Sequence, residues 1–231
     1  MKRCAIFLTL ASLFVFQLRA EPVETIERPQ LNVGDRWVFR VVDLWNGRET
    51  RQRELAVVQV NETGVRVDER STAINGVPIT RPRSVVVRTA AWPNANPRPI
   101  AGTFTAIDFP LYVGKTWTMA YTRPSRNGNA SDITERREVT VEGWETIKVP
   151  AGEFRTLRIV HEGLRMLHVS DGIFGSPTRE VYWYSPELKI YVKREYRNRR
   201  VSGSLFDQYS EELMEASVSD LSRLASYSET R

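Results

Sequence analysis

The sequence predicts an all-β protein, in which antiparallel sheet curls into an open half-barrel or a sandwich built from two similar halves. Short stretches rich in Val, Thr, Tyr, Trp and Arg recur between Gly, Asn and Pro, which is typical of antiparallel strands. One phrase also occurs twice, as LNVGDRWVF at 31–39 and LYVGKTWTM at 111–119. A repeated phrase with Leu, Val, Gly and Trp in register indicates a β-unit used twice. Little helix is expected apart from the N-terminal segment and, as one alternative, the C-terminus.

Residues 1–20 have the layout of a secretory signal peptide. Lys2 and Arg3 precede an apolar run, and the short segment QLRA follows it and ends at Ala20. The run has about 12 residues, fewer than the ~20 that a membrane-spanning helix needs. We therefore expect cleavage after Ala20 and a soluble product in the bacterial periplasm or outside the cell, with no transmembrane span in the mature chain.

Composition excludes several function classes. The single cysteine, Cys4, lies within the predicted signal peptide, so the mature chain has no thiol for a disulfide, for catalysis, for a zinc ribbon or for an iron–sulfur cluster. Cleavage would lower the Lys and Arg count from 33 to 30 against 28 acidic residues, a net charge of +2. A charge this small predicts no nucleic-acid partner.

Strand and turn patterns can be followed in order along the chain. Turns are predicted at Asn46-Gly47, at 62–64, at Gly143 and at Pro150-Ala151-Gly152. Gly and Asn tolerate positive φ, and the ring of Pro holds its own φ at a negative value that suits a turn. Strands are predicted at 36–44, 51–60, 64–72, 83–90, 116–122, 133–142, 144–149, 154–162, 178–184 and 189–200.

The domain organisation follows from these strands. Residues 21–221 are predicted to form a single β domain with an internal duplication, its halves covering about 31–89 and 111–200. The segment from Ala90 to Gly102 contains repeated Pro and Gly breaks and predicts a long connection. Residues 222–231 are polar and predict a flexible tail.

Residues 205–221 admit two interpretations, a helix or a strand. Leu205, Tyr209, Leu213 and Leu221 have helical spacing. A hairpin with the preceding basic strand is favoured, because it would place Arg199 opposite Asp207 and Arg194 opposite Glu212.

Candidate catalytic and metal-binding residues are few. Only His161 and His168 remain as imidazoles, and no G-x-S-x-G elbow accompanies them. Position 165 is Arg, where the zinc motif H-E-x-x-H requires His. Carboxylates alternate with Arg along the predicted strands, a pattern that we interpret as a solvated sheet face. No catalytic residue, metal site or cofactor is predicted.

Two segments resemble a known group of proteins. KVPAGEFRTLRI at 148–159 and YWYSPELKIYVKREY at 182–196 are similar to uncharacterised bacterial periplasmic and envelope domain families with V-P-A-G-x-F and W-Y-S-P-E motifs. The resemblance implies an open half-barrel, similar in outline to the carriers that shuttle lipoproteins across the periplasm. It implies no catalytic residue.

The leading functional hypothesis is a non-catalytic, chaperone-like binding module for an apolar or lipid-like ligand. Trp37, Trp117 and Trp183 are the candidate lining residues, because aromatic side chains at strand starts could face the concave side of a curled sheet. One alternative is an envelope assembly or structural component that binds another protein by edge-strand pairing. A hydrolase that uses His161 or His168 is the other alternative.

Overall fold

Eleven strands make up the regular structure in a computed structural model, which describes residues 24–62, 64–79, 83–87, 100–125, 132–199 and 205–219. No helix occurs in these ranges. The strands are β1 (Arg36–Asp43), β2 (Glu49–Asn61), β3 (Gly64–Ala73), β4 (Arg83–Val87), β5 (Ala101–Thr103), β6 (Thr116–Pro124), β7 (Asp132–Val149), β8 (Gly152–Val169), β9 (Gly172–Ser185), β10 (Ile190–Arg199) and β11 (Leu205–Ser217).

All eleven strands belong to one antiparallel sheet, which confirms the all-β prediction and favours the open half-barrel over the sandwich. The order is β4-β3-β2-β1-β11-β10-β9-β8-β7-β6-β5. Strands β1 to β4 run outward to one edge, and the chain resumes with β5 at the opposite edge. From there it returns strand by strand until β11 pairs with β1. The predicted connection from Ala90 to Gly102 falls between β4 and β5 in the sequence, but residues 88–99 are outside the described residues, and Ala101 and Gly102 belong to β5.

Two glycines at the ends of predicted strands lie inside longer strands. The predicted strands at 133–142 and 144–149 form one strand, β7, in which the register shifts between Val141 and Gly143. Glu142 is the extra residue of a β-bulge, which bends a strand without ending it. Gly163 likewise lies within the continuous strand β8.

The C-terminal segment is a strand, as the hairpin alternative predicted, but the predicted partners are wrong by one residue. Arg194 lies opposite Glu211 rather than Glu212, and Asp207 lies opposite Asn198 rather than Arg199. Arg199 lies opposite Leu205, and a register irregularity separates this pair from the one between Asn198 and Asp207. Such irregularities depend on pairing across the sheet and are not visible in either strand alone.

Local turn chemistry predicted two turns correctly, although the turn predicted at Gly143 does not form. Asn46 and Gly47 lie in the turn between β1 and β2, and Gly47 has a φ of 69°. Val149 pairs with Gly152 across the turn between β7 and β8, where Gly152 has a φ of 139°.

The two copies of the repeated phrase form the same kind of turn. Gly34 and Gly114 have φ values of 97° and 90°. The Gly34 N–H donates to Val57 O at 2.9 Å, and the Gly114 N–H donates to Val141 O at 2.8 Å. The wider duplication over 31–89 and 111–200 remains a prediction.

One face of the sheet carries the core, and we call it the inner face. Over half of this face, a hairpin tip and a loop form a cover. The tip of the β7–β8 hairpin reaches across the sheet, because the Ala151 N–H donates to Leu213 O of β11 at 3.0 Å. The loop 104–111 adds the buried Ile107 and Leu111. We call this covered part the closed half, and the part toward the β1–β2 and β8–β9 turns the open half.

Candidate functional site

Eight charged side chains alternate in sign across the open half of the inner face, and we call them the charge ladder. Their sequence across the sheet is Arg123 (β6), Glu135 and Arg137 (β7), Glu180 (β9), Arg194 (β10), Glu211 (β11), Arg53 (β2) and Glu69 (β3).

The ladder consists of direct ion pairs. Arg53 lies 3.0 Å from Glu69 and 3.2 Å from Glu211. Arg194 continues from Glu211 at 3.3 Å and also contacts Glu180. Most of these groups are buried, including Glu180 and Glu211, which are 3% exposed. The prediction that alternating Arg and carboxylate residues mark a solvated face is therefore wrong for this set.

Glu180 is the central carboxylate of the ladder. Arg137 and Arg194 both contact it, and the Tyr182 hydroxyl donates to it at 2.9 Å. Burial opposes the negative charge, but the two arginines outweigh burial and hold the pKa of Glu180 well below its usual range. Glu180 is accordingly ionised at neutral pH.

A second centre forms around Glu211. The Tyr191 hydroxyl donates to Glu211 at 2.5 Å, and the Arg53 guanidinium donates to Tyr191 Oη at 2.8 Å. Burial and the neighbouring Glu211 raise the pKa of Tyr191 well above its usual value. Arg53 on β2 thus contacts a side chain on β10 although β1 and β11 lie between them, which fits a curled sheet.

β8 contributes no ion pair to the ladder, because Gly163 occupies its place. A Cβ atom on Gly163 would lie 2.0 Å from the Arg136 backbone oxygen, so the neighbouring strand leaves no room for a side chain. Gly163 lies opposite Arg137 on one side and Thr178 on the other. The Arg137 side chain reaches across this position to Glu180 on β9.

Several polar atoms beside Gly163 have no hydrogen-bond partner among the described residues. They are Arg137 Nε, Arg165 Nε, Thr178 Oγ1 and Asn198 Oδ1. Thr178 is 4% exposed and Asn198 is 2% exposed, and the two lie opposite each other on β9 and β10. Buried polar atoms nearly always have a partner, which can be protein, water or ligand. We call this group the polar site.

A row of apolar side chains adjoins the polar site. Ile133 lies opposite Leu167, which lies opposite Phe174. Strand alternation places all three on the inner face, two residues farther along β8 than Arg165. Phe174 is 61% exposed. The open half therefore places unpartnered polar groups directly beside an exposed aromatic ring.

The two histidines lie on opposite faces of β8, since they are seven residues apart on one continuous strand. His161 is fully buried on the inner face, with the Trp117 ring 6.2 Å and the Tyr182 ring 4.9 Å away between centroids. Burial lowers the pKa of His161 to about 3. His168 contacts the Thr134 hydroxyl at 3.0 Å. Among the described residues no three His, Cys, Asp or Glu side chains form a group that could hold a metal.

The three predicted lining tryptophans are not brought together. Trp37 has no exposed surface, and its indole donates to Leu188 O at 2.9 Å in the closed half. Trp117 lies on the inner face, partly buried, and donates to Thr105 O at 3.1 Å. Trp183 lies on the outer face, where Lys193 Nζ is 5.2 Å from its ring centroid. The sequence did not predict the polar site, because no single residue in that site resembles a known motif.

Comparison with solved structures gives the fold alone. No family model and no curated protein matches the chain. A crystal structure of a predicted lipoprotein from Parabacteroides distasonis is similar, with a TM-score of 0.54 and 15% identity over 84% of this chain and 100% of that one. A predicted exported protein from Bacteroides fragilis, described as having a YmcC-like fold, has a TM-score of 0.44 and 16% identity over 84% of this chain and 99% of that one.

The described ranges contain no helix long and apolar enough to cross a membrane. The resemblance to uncharacterised envelope families through the segments at 148–159 and 182–196 remains a prediction, since no family model matches.

Proposed function

We propose that this protein is an exported, non-catalytic module that binds an amphipathic ligand in the open half of its inner face. The observation that carries the proposal is the position of the apolar row beside the polar site. Leu167 and Phe174 offer apolar contact, while Thr178 and Asn198 offer buried polar atoms for which the described ranges supply no partner. Ligand sites typically combine an apolar lining with a few placed polar groups.

The proposed compartment is the bacterial periplasm or the exterior, after cleavage following Ala20. The basic start, the short apolar run and the small residue at position 20 support export. The name of the Parabacteroides distasonis protein, a predicted lipoprotein, suits the same assignment.

A binding role is favoured over the hydrolase alternative. His161 has no exposed surface and stays neutral over the working pH range, so it is poorly placed to exchange protons with a substrate. His168 lies on the outer face of β8, away from the polar site.

The envelope-assembly alternative depends on free sheet edges. The edge strands are β4, with five residues, and β5, with three. Short edge strands offer few backbone groups to a partner strand. The inner face is therefore the stronger candidate for binding.

Ligand binding can be tested with the neutral fluorescent probe N-phenyl-1-naphthylamine. We expect Leu167→Gln to weaken binding of the probe by about tenfold, a loss of ~1.4 kcal/mol, because it places an amide in the apolar row. Leu164→Gln is the matched control, since Leu164 is on the same strand but on the outer face and is 49% exposed. Native mass spectrometry of protein purified from periplasm should also show a ligand that organic extraction removes.

Equal probe binding by the two variants would contradict the proposed site. A protein that binds no probe and carries no extractable ligand would contradict the proposed function as a whole.

A further inference from the structure

We infer that the polar site binds an anion, so that the polar end of the ligand is a carboxylate or a phosphate. The inference rests on the proposed function and adds the chemical class of the ligand. It assigns the binding role to Arg165 and Thr178, with Asn198 and Arg137 Nε completing the site.

The first argument is that Arg165 has no carboxylate partner although one lies opposite it. Arg165 pairs in register with Glu135. Both oxygens of Glu135 are already engaged, Oε1 by Arg123 at 3.4 Å and Oε2 by Arg137. Among the described residues no ion pair includes Arg165, and its Nε atom is buried without a partner. A bound anion would satisfy a guanidinium that the described residues leave without an ion pair.

The second argument is the charge of the inner face. The ladder balances its charges, with four arginines against four glutamates. Arg165 and Arg51 lie on the same face outside the ladder, and the Nε atoms of both have no partner. Arg51 still interacts electrostatically with Glu211, and Asp207 is a carboxylate on the same face. Arg165 is on β8, three strands from β11, and among the described residues it makes no ion pair. A cation without an ion pair in a partly desolvated face attracts anions.

The third argument is the geometry around Gly163. Thr178 lies opposite Gly163, and Arg165 is the next inner-face residue along β8, so the Arg165 and Thr178 side chains lie on either side of the position that the Arg137 side chain crosses. The Thr178 hydroxyl is a donor that has no partner in the part of the chain that the structure describes. Asn198 adjoins Thr178 on β10, and the exposed Asp207 lies beyond it on β11. This order places the anion on the β8–β9 side, with the acidic side chain farthest away.

Displacement of N-phenyl-1-naphthylamine by two molecules of equal chain length provides the test. Dodecanoate carries the proposed anion, and 1-monolauroylglycerol is its neutral counterpart. We expect dodecanoate to bind the wild-type protein at least about tenfold more tightly. Arg165→Gln should remove that preference and leave the affinity for monolauroylglycerol unchanged. Thr178→Val should reduce the preference by a smaller factor, since it removes one neutral donor.

Arg179→Gln is the matched control. Arg179 lies on the outer face of β9, where it pairs with Glu162 at 2.8 Å, and its substitution should leave both affinities unchanged. Thermal unfolding of each variant shows whether the fold is kept. Titration with inorganic phosphate by calorimetry measures the anion site without an acyl chain.

The outcomes separate the inference from the proposed function. If the wild-type protein binds the two lipids equally, the anion site is overturned and amphipathic binding stands. If neither lipid binds but phosphate binds to the wild-type protein and not to Arg165→Gln, the anion site stands and the amphipathic function is overturned. If neither the lipids nor phosphate bind, both are overturned. Phosphate binding that equals the affinity for dodecanoate would identify a free anion as the ligand.

Discussion

The closed and open halves of the inner face share the same strands but are stabilised differently. Strand β9 passes through both, with Tyr182 and Tyr184 toward the closed half and Thr178 and Glu180 toward the open half. In the closed half, buried aromatic and aliphatic side chains lie beneath the hairpin tip and the loop 104–111. In the open half the charge ladder adds buried ion pairs, beside polar atoms that have no partner within the described segments. The closed half should therefore respond to lost volume and the open half to lost charge.

Removing the central charge of the ladder should produce one of the largest effects. Glu180→Gln keeps the side-chain volume but leaves Arg137 and Arg194 without their shared carboxylate. Breaking a buried ion pair in this way costs about 3–5 kcal/mol of unfolding free energy. Urea denaturation measures the loss. Glu162→Gln, which breaks an exposed pair with Arg179, should cost less than ~1 kcal/mol. A similar loss of unfolding free energy in both variants would show that the buried ion pairs of the ladder stabilise the fold no more than an exposed ion pair does.

Removing volume from the closed half should have an effect of similar size. Trp37→Ala deletes a fully buried indole and its hydrogen bond to Leu188 O, at a cost of about 3–5 kcal/mol. Trp45→Ala, in an exposed turn at the opposite end of β1, should change stability by no more than ~0.5 kcal/mol. Chemical denaturation of the pair measures both values. A stable Trp37→Ala protein would show that the closed half is loosely packed.

Acid should weaken the fold through His161 before it affects the ladder. Burial is the main cause of the pKa of about 3 for His161, to which the nearby Arg137 and Arg194 also contribute while Glu180 opposes them. The unfolded chain therefore binds a proton near pH 6.5 that the folded chain does not, and stability falls as pH falls. Between pH 7 and pH 5 the loss should be about 2 kcal/mol.

His161→Leu separates the two acid effects. This variant should lose little stability between pH 7 and pH 5 if the imidazole is responsible. The folded-state pKa of Glu180 is lowered, so the stability due to its ionised form is present above about pH 4.3 and is lost only as the pH falls further. An unchanged slope in His161→Leu between pH 7 and pH 5 would show that another group titrates there.

The smallest expected effect on stability comes from replacing Tyr by Phe at two positions of β9. Tyr182→Phe removes the donor to Glu180 and should cost about 1.5 kcal/mol. Tyr184→Phe removes a buried hydroxyl that has no partner among the described residues, and it should be neutral or stabilise by up to about 1 kcal/mol. Thermal unfolding of both variants checks the sign. Equal losses of stability in the two variants would show that the Tyr184 hydroxyl also makes a stabilising hydrogen bond.

Two of the turns could be predicted from sequence because their chemistry is local. Asn46-Gly47 and Pro150-Ala151-Gly152 specify their own backbone conformations, and both turns form. The position of β11 beside β1 and the bulge at Glu142 depend on pairing between distant segments. No local pattern in the chain encodes these features. The strand order and the cover of the closed half could therefore not be predicted from the sequence.

The sequence contains only a weak signal of the buried charge ladder. Val139 and Val141 alternate with polar residues on β7, and they fix which side chains point inward. The same alternation, extended toward the start of the strand, places Glu135 and Arg137 inward as well. The neighbouring charges on the other face hide this pattern, since every residue from 135 to 138 is charged. The polar site adds a second difficulty, because Gly163 contributes to it by lacking a side chain.

The pairing of β1 with β11 has a consequence for the order of folding. Arg36 pairs with Ser217, so one interior seam of the sheet joins segments near the two ends of the described chain. During synthesis β1 keeps an unpaired side until β11 has emerged from the ribosome. Pairings this distant in sequence form slowly, since a long loop must close before any contact rewards it. The sheet can therefore be completed only after β11 has been synthesised and has left the ribosome.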